Sequence, residues 1–325
     1  MKVLVSGASG FIGRHLVRRL LKDKHQVTVV VRKSKKAVMI WGNKVKIVQA
    51  DIGSEKPFKD LKNKFDWIFH LAAAVSYRQP AKAEYYQVNV KGSRNILRLA
   101  KKCQGLKKLV YVSSVGIYGP INKPPADESW PHRPENDYEV SKNKGEDLVR
   151  KYIKQGLPVN IIQPTLVYGP GDVNSGMMAL FKTVKQRKFI KIGKQPVLMH
   201  PAYVNNVVEA LILAAKTKVS GETFIIGDEK ALPLDKMAEM MAKILKVKLL
   251  PIKLPLALAK LIALVGDGLR LVGIKFPLSS STVYFMTHHR AYLIDKAKKK
   301  LGYKPIDTKT GFSKTIKWYK EKEII

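Results

Sequence analysis

The sequence predicts an α/β fold in which a doubly wound parallel sheet forms the N-terminal domain and a smaller, interleaved C-terminal lobe completes the molecule. Three observations predict it. Apolar runs such as Val27-Thr28-Val29-Val30-Val31 lack polar alternation, as strands covered by helices on both faces do. Such runs alternate with helical patterns through the first half of the chain. A glycine-rich turn, Gly7 to Gly13, joins the first strand to the first helix.

In chain order, a strand at Lys2 to Ser6, a helix at Phe11 to Leu21 and a strand at Gln26 to Val31 make a βαβ unit. Further strands are expected at Lys46 to Ala50, Trp67 to Leu71, Leu109 to Val112 and Val159 to Ile162, with helices at Val90 to Lys102 and Tyr138 to Gln155. After Gln163 the alternation weakens. The turn-rich Tyr168-Gly169-Pro170-Gly171-Asp172 is followed by a helix at Gly176 to Gln186, a strand at Thr223 to Ile226, and helices at Pro233 to Leu245, Ile294 to Leu301 and Gly311 to Glu323. The expected division is a dinucleotide-binding domain over 1–165 and a substrate lobe over 166–325, with about 203–228 returning to the first domain.

With 46% hydrophobic residues in 325, the chain can bury a sizeable core, and it shows no low-complexity tract or fixed-period repeat. One cysteine, Cys103, precludes an intramolecular disulfide and suggests a reducing compartment. The chain opens directly into a strand without a signal-like succession, so a cytoplasmic protein is expected. The apolar stretch Leu249 to Val272 is interrupted by Lys253, Lys260, Asp267 and Arg270, leaving no run near the roughly 20 residues a membrane span needs. It reads as a substrate-lobe helix, with peripheral contact to anionic lipid as the other reading. Sixty Lys and Arg against 25 Asp and Glu give a net charge of +35, a field that attracts anions of any kind. Because the basic residues are spread along the chain, a dedicated nucleic-acid site is not expected.

Gly7-Ala8-Ser9-Gly10-Phe11-Ile12-Gly13 lies between a strand and a helix, where backbone N–H groups at the helix N-terminus meet a pyrophosphate. This makes the N-terminal unit a Rossmann domain. The glycine spacing is GxxGxxG and resembles that of the extended short-chain dehydrogenase/reductase family. Tyr138 and Lys142 stand four residues apart, on one helical face. A tyrosine ordinarily titrates near 10, and a neighbouring ammonium favours its phenolate.

The resemblance implies further residues. An NAD-preferring member carries an acidic residue near Val31, where this chain has Arg32 and Lys33. Arg32, with Lys33, suits a 2′-phosphate, so NADP is expected over NAD. Asp51-Ile52 matches the family's acidic and apolar pair beside adenine. Leu71-Ala72-Ala73 matches the backbone flanking the cofactor ribose, and Asn89 matches a family asparagine at the start of the next helix. Pro164 matches the proline by the nicotinamide amide, preceded by Gln163 where an arginine is usual. The family's serine, four residues before the tyrosine of its YG pair at Tyr118-Gly119, counts to Ser114, with Ser113 as fallback. Ser114, Tyr138 and Lys142 are thus the catalytic candidates; no metal ligands are assigned. His70, beside an apolar run, is read as structural.

The resemblance reaches nearly the whole chain and carries an expected homodimer through the helices at Val90 to Lys102 and Tyr138 to Gln155. Family dehydratases place Asp-Glu directly after the catalytic threonine, whereas Val115-Gly116 follows Ser114, so elimination is not expected. Epimerases place an asparagine where Leu166 stands and an arginine that clamps the sugar pyrophosphate near Met199. His200 to Val204 and the apolar Leu249 to Val272 resemble instead the 3β-hydroxysteroid dehydrogenase-like and dihydroflavonol reductase-like branches. The expectation is hydride transfer between a secondary alcohol and a ketone on an apolar, sterol-, isoprenoid- or flavonoid-like substrate. Nucleotide-sugar 4-epimerisation is the alternative, and a non-catalytic cofactor-sensing or nucleic-acid-binding protein the second.

Overall fold

The computed structural model describes residues 1–54, 58, 61, 64–75, 80–271, 273, 274, 276 and 278–325. The first half contains β1 (Lys2–Ser6), α1 (Phe11–Lys22), β2 (Gln26–Val31), α2 (Ser34–Trp41), β3 (Lys46–Gln49) and β4 (Trp67–His70). It continues through α3 (Lys82–Tyr85), α4 (Ser93–Lys101), β5 (Lys108–Val112), α5 (Asp137–Lys154) and β6 (Val159–Pro164). The second half contains β7 (Leu166–Tyr168), α6 (Gly176–Lys185), β8 (Lys191–Ile192), β9 (Leu198–Met199), β10 (Pro201–Tyr203), α7 (Val204–Lys216) and β11 (Thr223–Ile226). Then come β12 (Leu232–Pro233), α8 (Leu234–Leu245), β13 (Lys253–Leu254), α9 (Leu256–Leu271), α10 (Ser280–Thr287), α11 (Asp295–Leu301) and α12 (Thr308–Glu321).

Among the described residues, seven strands form a parallel sheet in the order β11-β6-β5-β4-β1-β2-β3. The order reverses between β1 and β4, and in such sheets the ligand crevice opens outside the strand carboxyl ends at that point. One face of the sheet is covered by α1 and α7, whose Leu16, Val17, Leu20, Val207 and Leu211 join Val3, Val5 and Val110 in one core. The other is covered by α4 and α5, through Ile96, Leu97 and Val149 against Leu4, Ile68 and Ile161. A separate core in the second half holds Phe181, Met237, Met241 and Phe312 from α6, α8 and α12.

Three helices were not anticipated by periodicity. In α7, VNNVVEALILAAK buries nine of its residues, so no polar face marks the 3.6-residue repeat. α2 and α10 are eight residues each, too short to show one. The helix expected from Val90 starts at Lys82 and passes through a π-helical turn, Tyr86–Gly92, before α4. The stretch Leu249 to Val272 is helical only from Leu256, and Val272 lies outside the described residues.

Asp228, just past β11, ties the two halves together. Its carboxylate accepts from the Tyr203 N–H (2.7 Å), Asn206 Nδ2 (2.8 Å), the Tyr168 hydroxyl (2.8 Å) and Thr308 Oγ1 (3.0 Å). Burial nevertheless raises its pKa to about 6, because desolvation outweighs those four donors.

Candidate active site

The loop after β1 is shaped by what glycine omits. Gly7 has φ +73°, and a Cβ there would lie 2.5 Å from the Ala72 nitrogen and 2.6 Å from the Leu71 carbonyl carbon. A Cβ on Gly13 would lie 2.2 Å from the Gly7 oxygen. Only glycine lets α1 start this close to β4, at the switch point. The Gly10 N–H donates to the Gly7 carbonyl at 3.0 Å, and Arg14 Nε to the Ser9 carbonyl at 3.0 Å, fixing the turn. Ser9, Phe11 and Ile12 are half-buried and Gly10 is exposed, so the backbone here is accessible to an anion at the N-terminus of α1.

Around this cradle, Leu71, Ala72 and Ala73 continue from β4, and Ile52 is buried with its side chain filling the space a Cβ on Gly92 would need. Asp51 is exposed and its Oδ1 accepts from the Gly53 N–H, a local turn contact. Arg32 and Lys33 are exposed beyond β2, and Arg32 is 3.8 Å from Glu84. Asn89 has both amide hydrogens committed, to the Ala74 carbonyl (3.1 Å) and Ser141 Oγ (2.8 Å), while its Oδ1 accepts from the Ala74 N–H (2.8 Å). Its amide therefore acts by holding the strand end against α5. Buried Pro164 ends β6, and beside it Ser113 Oγ and Thr165 Oγ1 are buried without a hydrogen-bond partner. Two orphaned hydroxyls at adjacent strand ends, together with the glycine cradle, fit a dinucleotide with polar groups along its length.

Tyr138 stands in the first turn of α5, which Asn136 caps by accepting from the Glu139 N–H at 3.0 Å. Lys142, one turn on, is 3% exposed; its ammonium donates to the Val112 carbonyl at 2.7 Å and sits 4.9 Å above the Tyr111 ring. Burial brings its pKa down to about 8, a shift opposed by the charge of Glu146 one further turn along. Ser114 Oγ accepts from the Gly116 N–H at 3.1 Å, capping a 3₁₀ turn over Val115–Tyr118. That turn meets α5: a Cβ on Gly116 would lie 3.1 Å from Glu139 Cγ and 3.3 Å from Ser114 Oγ. The tertiary fold thus sets the turn capped by Ser114 against the first turn of α5, which carries Tyr138, and brings Lys142 to the end of β5. His70 is spent elsewhere, between Ser6 Oγ (2.6 Å) and Ser93 Oγ (3.1 Å), and burial brings its pKa down to about 3.

Several site residues were not found by sequence reasoning. Glu139 lies beside Ser114 with its pKa raised by burial. Glu146 is fully buried, accepting from both Gln163 Nε2 and Arg150 Nη2; the unusual Gln163 is accounted for by that bond and by its acceptance from the Tyr118 hydroxyl. The Tyr284 hydroxyl on α10 donates to Glu135, next to the cap of α5. Arg290, 91 residues from Met199 in sequence, pairs with it in an isolated parallel bridge. Its guanidinium lies 4.9 Å from the Phe285 ring centre and 5.9 Å from that of Tyr284. A basic group therefore does reach the neighbourhood where the local sequence lacks one. The only available signal was the Asn136 cap, since the other groups meet across distant chain segments.

Among the described residues, no group of three or more His, Cys, Asp or Glu side chains is placed to hold a metal, and no helix is long and apolar enough to cross a membrane.

The chain is 31% identical to a decarboxylating sterol-4-alpha-carboxylate 3-dehydrogenase of Candida albicans, over 98% of this chain and 97% of that one. It is 29% identical to an N-acetyl-alpha-D-glucosaminyl-diphospho-ditrans,octacis-undecaprenol 4-epimerase of Escherichia coli O157:H7, over 86% and 84%. Its fold superposes on the UDP-glucose 4-epimerase of Thermotoga maritima solved with UDP-glucose, with a TM-score of 0.79 and 23% identity over 99% and 100% of the two chains. The profile of the NAD dependent epimerase/dehydratase family matches residues 3–227. With that match over most of the chain and the strand-end crevice in place, this protein belongs to the NAD-dependent epimerase/dehydratase family of extended short-chain dehydrogenases/reductases.

Proposed function

We propose that this enzyme interconverts a secondary alcohol and a ketone on an apolar, sterol-, isoprenoid- or flavonoid-like substrate, with Tyr138 as the acid and base. The observation that carries the reading is the Lys142 ammonium, buried and fixed on the Val112 carbonyl one turn from Tyr138, with the Ser114 hydroxyl held by the Gly116 N–H. The nicotinamide cofactor, when bound, supplies or accepts the hydride. Ser114 already accepts one hydrogen bond, which leaves its own O–H to donate to the substrate oxygen. Tyr138 gives that oxygen its proton in the reducing direction and removes it in the oxidising one, and the Lys142 charge favours the phenolate. The backbone at Gly7, Ser9, Gly10, Phe11, Ile12 and Gly13 would hold the pyrophosphate. Asp51, Ile52, Leu71, Ala72, Ala73 and Pro164 would line the rest, and Arg32 with Lys33 would take a 2′-phosphate, favouring NADP over NAD.

The apolar substrate class rests on the likeness to the sterol dehydrogenase rather than on Leu249 to Val272. In that stretch Leu256, Leu258, Leu261, Leu264 and Val265 of α9 face solvent. A second reading, sugar-nucleotide epimerisation, is favoured by Arg290, a half-buried cation at the position where an anionic pyrophosphate would be met. The reading also includes a homodimer through α4 and α5. Their outer face exposes Arg98, Lys101, Lys151 and Lys154, so association should strengthen as salt screens them.

The test is turnover of a ketone and sugar-nucleotide panel with NADPH and NADH, with Tyr138→Phe alongside. Reduction of an apolar ketone, lowered about 10²–10⁴-fold in the variant, supports the proposal. Turnover of UDP-sugars alone installs the second reading, and a Tyr138→Phe enzyme as active as the parent overturns both.

A further inference from the structure

The helix α9 is built inside out. It turns Ala259, Ala263 and Gly266 inward, against a small core that includes Ile192 and Val283. The approach is close: a Cβ on Gly266 would lie 2.2 Å from the Leu278 oxygen. Large residues face out on the other side, with Leu258 45%, Leu261 60%, Leu264 64% and Val265 56% exposed, while Ile262 and Leu269 are half-buried. Of the fourteen large apolar side chains exposed among the described residues, eight lie between Leu250 and Ile274. Scattered single exposures are ordinary in soluble proteins, but a concentrated patch marks an interaction surface.

Charge selects the occupant. From Lys243 to Arg270 the chain carries six basic residues and one acidic one, Asp267. The Asp267 carboxylate is turned toward the lobe, where both oxygens accept from the Ser280 N–H at 3.2 and 3.3 Å. Lys253, Lys260 and Arg270 are exposed and leave the rim of the patch positive. A second copy of this chain docked through the same face would set Lys253, Lys260 and Arg270 against their like-charged counterparts. An anionic, apolar-cored surface satisfies the leucines and the lysines together. Sixteen residues make a helix about 24 Å long, suited to lying in the headgroup plane rather than crossing it.

We propose that the outer face of α9, with Leu258, Leu261, Leu264 and Val265 inserted and Lys253, Lys260 and Arg270 at the headgroups, docks this enzyme on an anionic phospholipid bilayer. The helix packs on α10, whose Tyr284 bonds Glu135 beside the cap of the Tyr138 helix, so the docking face is linked through α10 to the helix that carries Tyr138. Docking is independent of the ketone-reductase reading, and its test uses no substrate.

The full chain is sedimented with phosphatidylcholine vesicles and with phosphatidylcholine–phosphatidylglycerol vesicles. Three variants are compared: Leu261→Glu/Leu264→Glu, Lys314→Gln/Lys317→Gln, which removes the same net charge from α12 instead of α9, and Leu261→Trp, checked against NADPH binding and circular dichroism for folding. The expected result is binding to the anionic vesicles, weakened about tenfold or more by the glutamates and little by the glutamines, with a blue shift of the added tryptophan on docking. Equal losses in the two double variants would mean diffuse attraction alone and overturn the proposal. So would an unshifted tryptophan, absence of vesicle binding, or a dimer that the glutamates convert to monomer.

Discussion

Lys142 shows how burial tunes a residue that its sequence neighbours leave ordinary. Desolvation lowers its pKa to about 8, and Glu146 raises it against that tendency. In the ketone-reducing direction the protonated ammonium is required, so turnover should fall as pH rises through about 8. Removing the opposing carboxylate in Glu146→Gln should move that falling limb to lower pH, read from a kcat–pH profile. Stability responds with the opposite sign. Between about 8 and 10.5 the unfolded chain holds the lysine proton that the folded one has lost, so wild type should gain stability relative to Lys142→Met as pH rises through that window. Urea denaturation at several pH values checks it. Arg32 offers a second residue-scale test. Its 3.8 Å pairing with exposed Glu84 is weak, so Glu84→Gln should leave stability nearly unchanged yet tighten NADPH binding, while Arg32→Ala should weaken NADPH about tenfold and spare NADH.

Elements in this fold are placed by close approaches as much as by apolar stripes. α5 reaches the sheet because Gly145 has no side chain: a Cβ there would lie 2.6 Å from both the Asn89 oxygen and the Tyr111 hydroxyl. Gly145→Ala should therefore push the helix that carries Tyr138 and Lys142 outward, costing about 1–3 kcal/mol and lowering kcat more than cofactor affinity. Thermal unfolding and steady-state kinetics together read this. The junction of β11, α7 and α12 depends on Asp228. Asp228→Ala would leave the Tyr168 hydroxyl, Thr308 and Asn206 short of an acceptor in a buried site, with an expected cost of about 3–5 kcal/mol in denaturant unfolding.

At the scale of the whole molecule, electrostatics is governed by the net charge of +35. Self-repulsion of that size destabilises a compact state and is screened by salt, whose Debye length falls to about 10 Å at 0.1 M. The melting temperature should rise as salt increases from a few millimolar toward physiological strength. Association with arbitrary nucleic acid should collapse over the same range, as counterion release requires of non-specific binding. A melting temperature indifferent to salt would show that the local pairs, such as Glu222 with Lys296 and Lys300, already neutralise the repulsion.

Much of the sheet and the main site motif could be read from the chain because both are local. Val27 to Val31 declares a covered strand by composition, the Gly7 to Gly13 spacing declares the turn, and Tyr138 with Lys142 share a helical face by period alone. Tertiary packing alone decided what those residues meet. It brought Arg290 beside Met199, set Glu139 against the Ser114 turn, and committed the Asn89 amide to Ala74 and Ser141. It also turned Leu256, Leu258, Leu261 and Leu264 of α9 outward, where an apolar sequence would ordinarily be read as core. The physical reason is that periodicity records which side chains share a face, whereas burial, pKa and hydrogen-bond partners depend on neighbours that only the close-packed fold brings into contact.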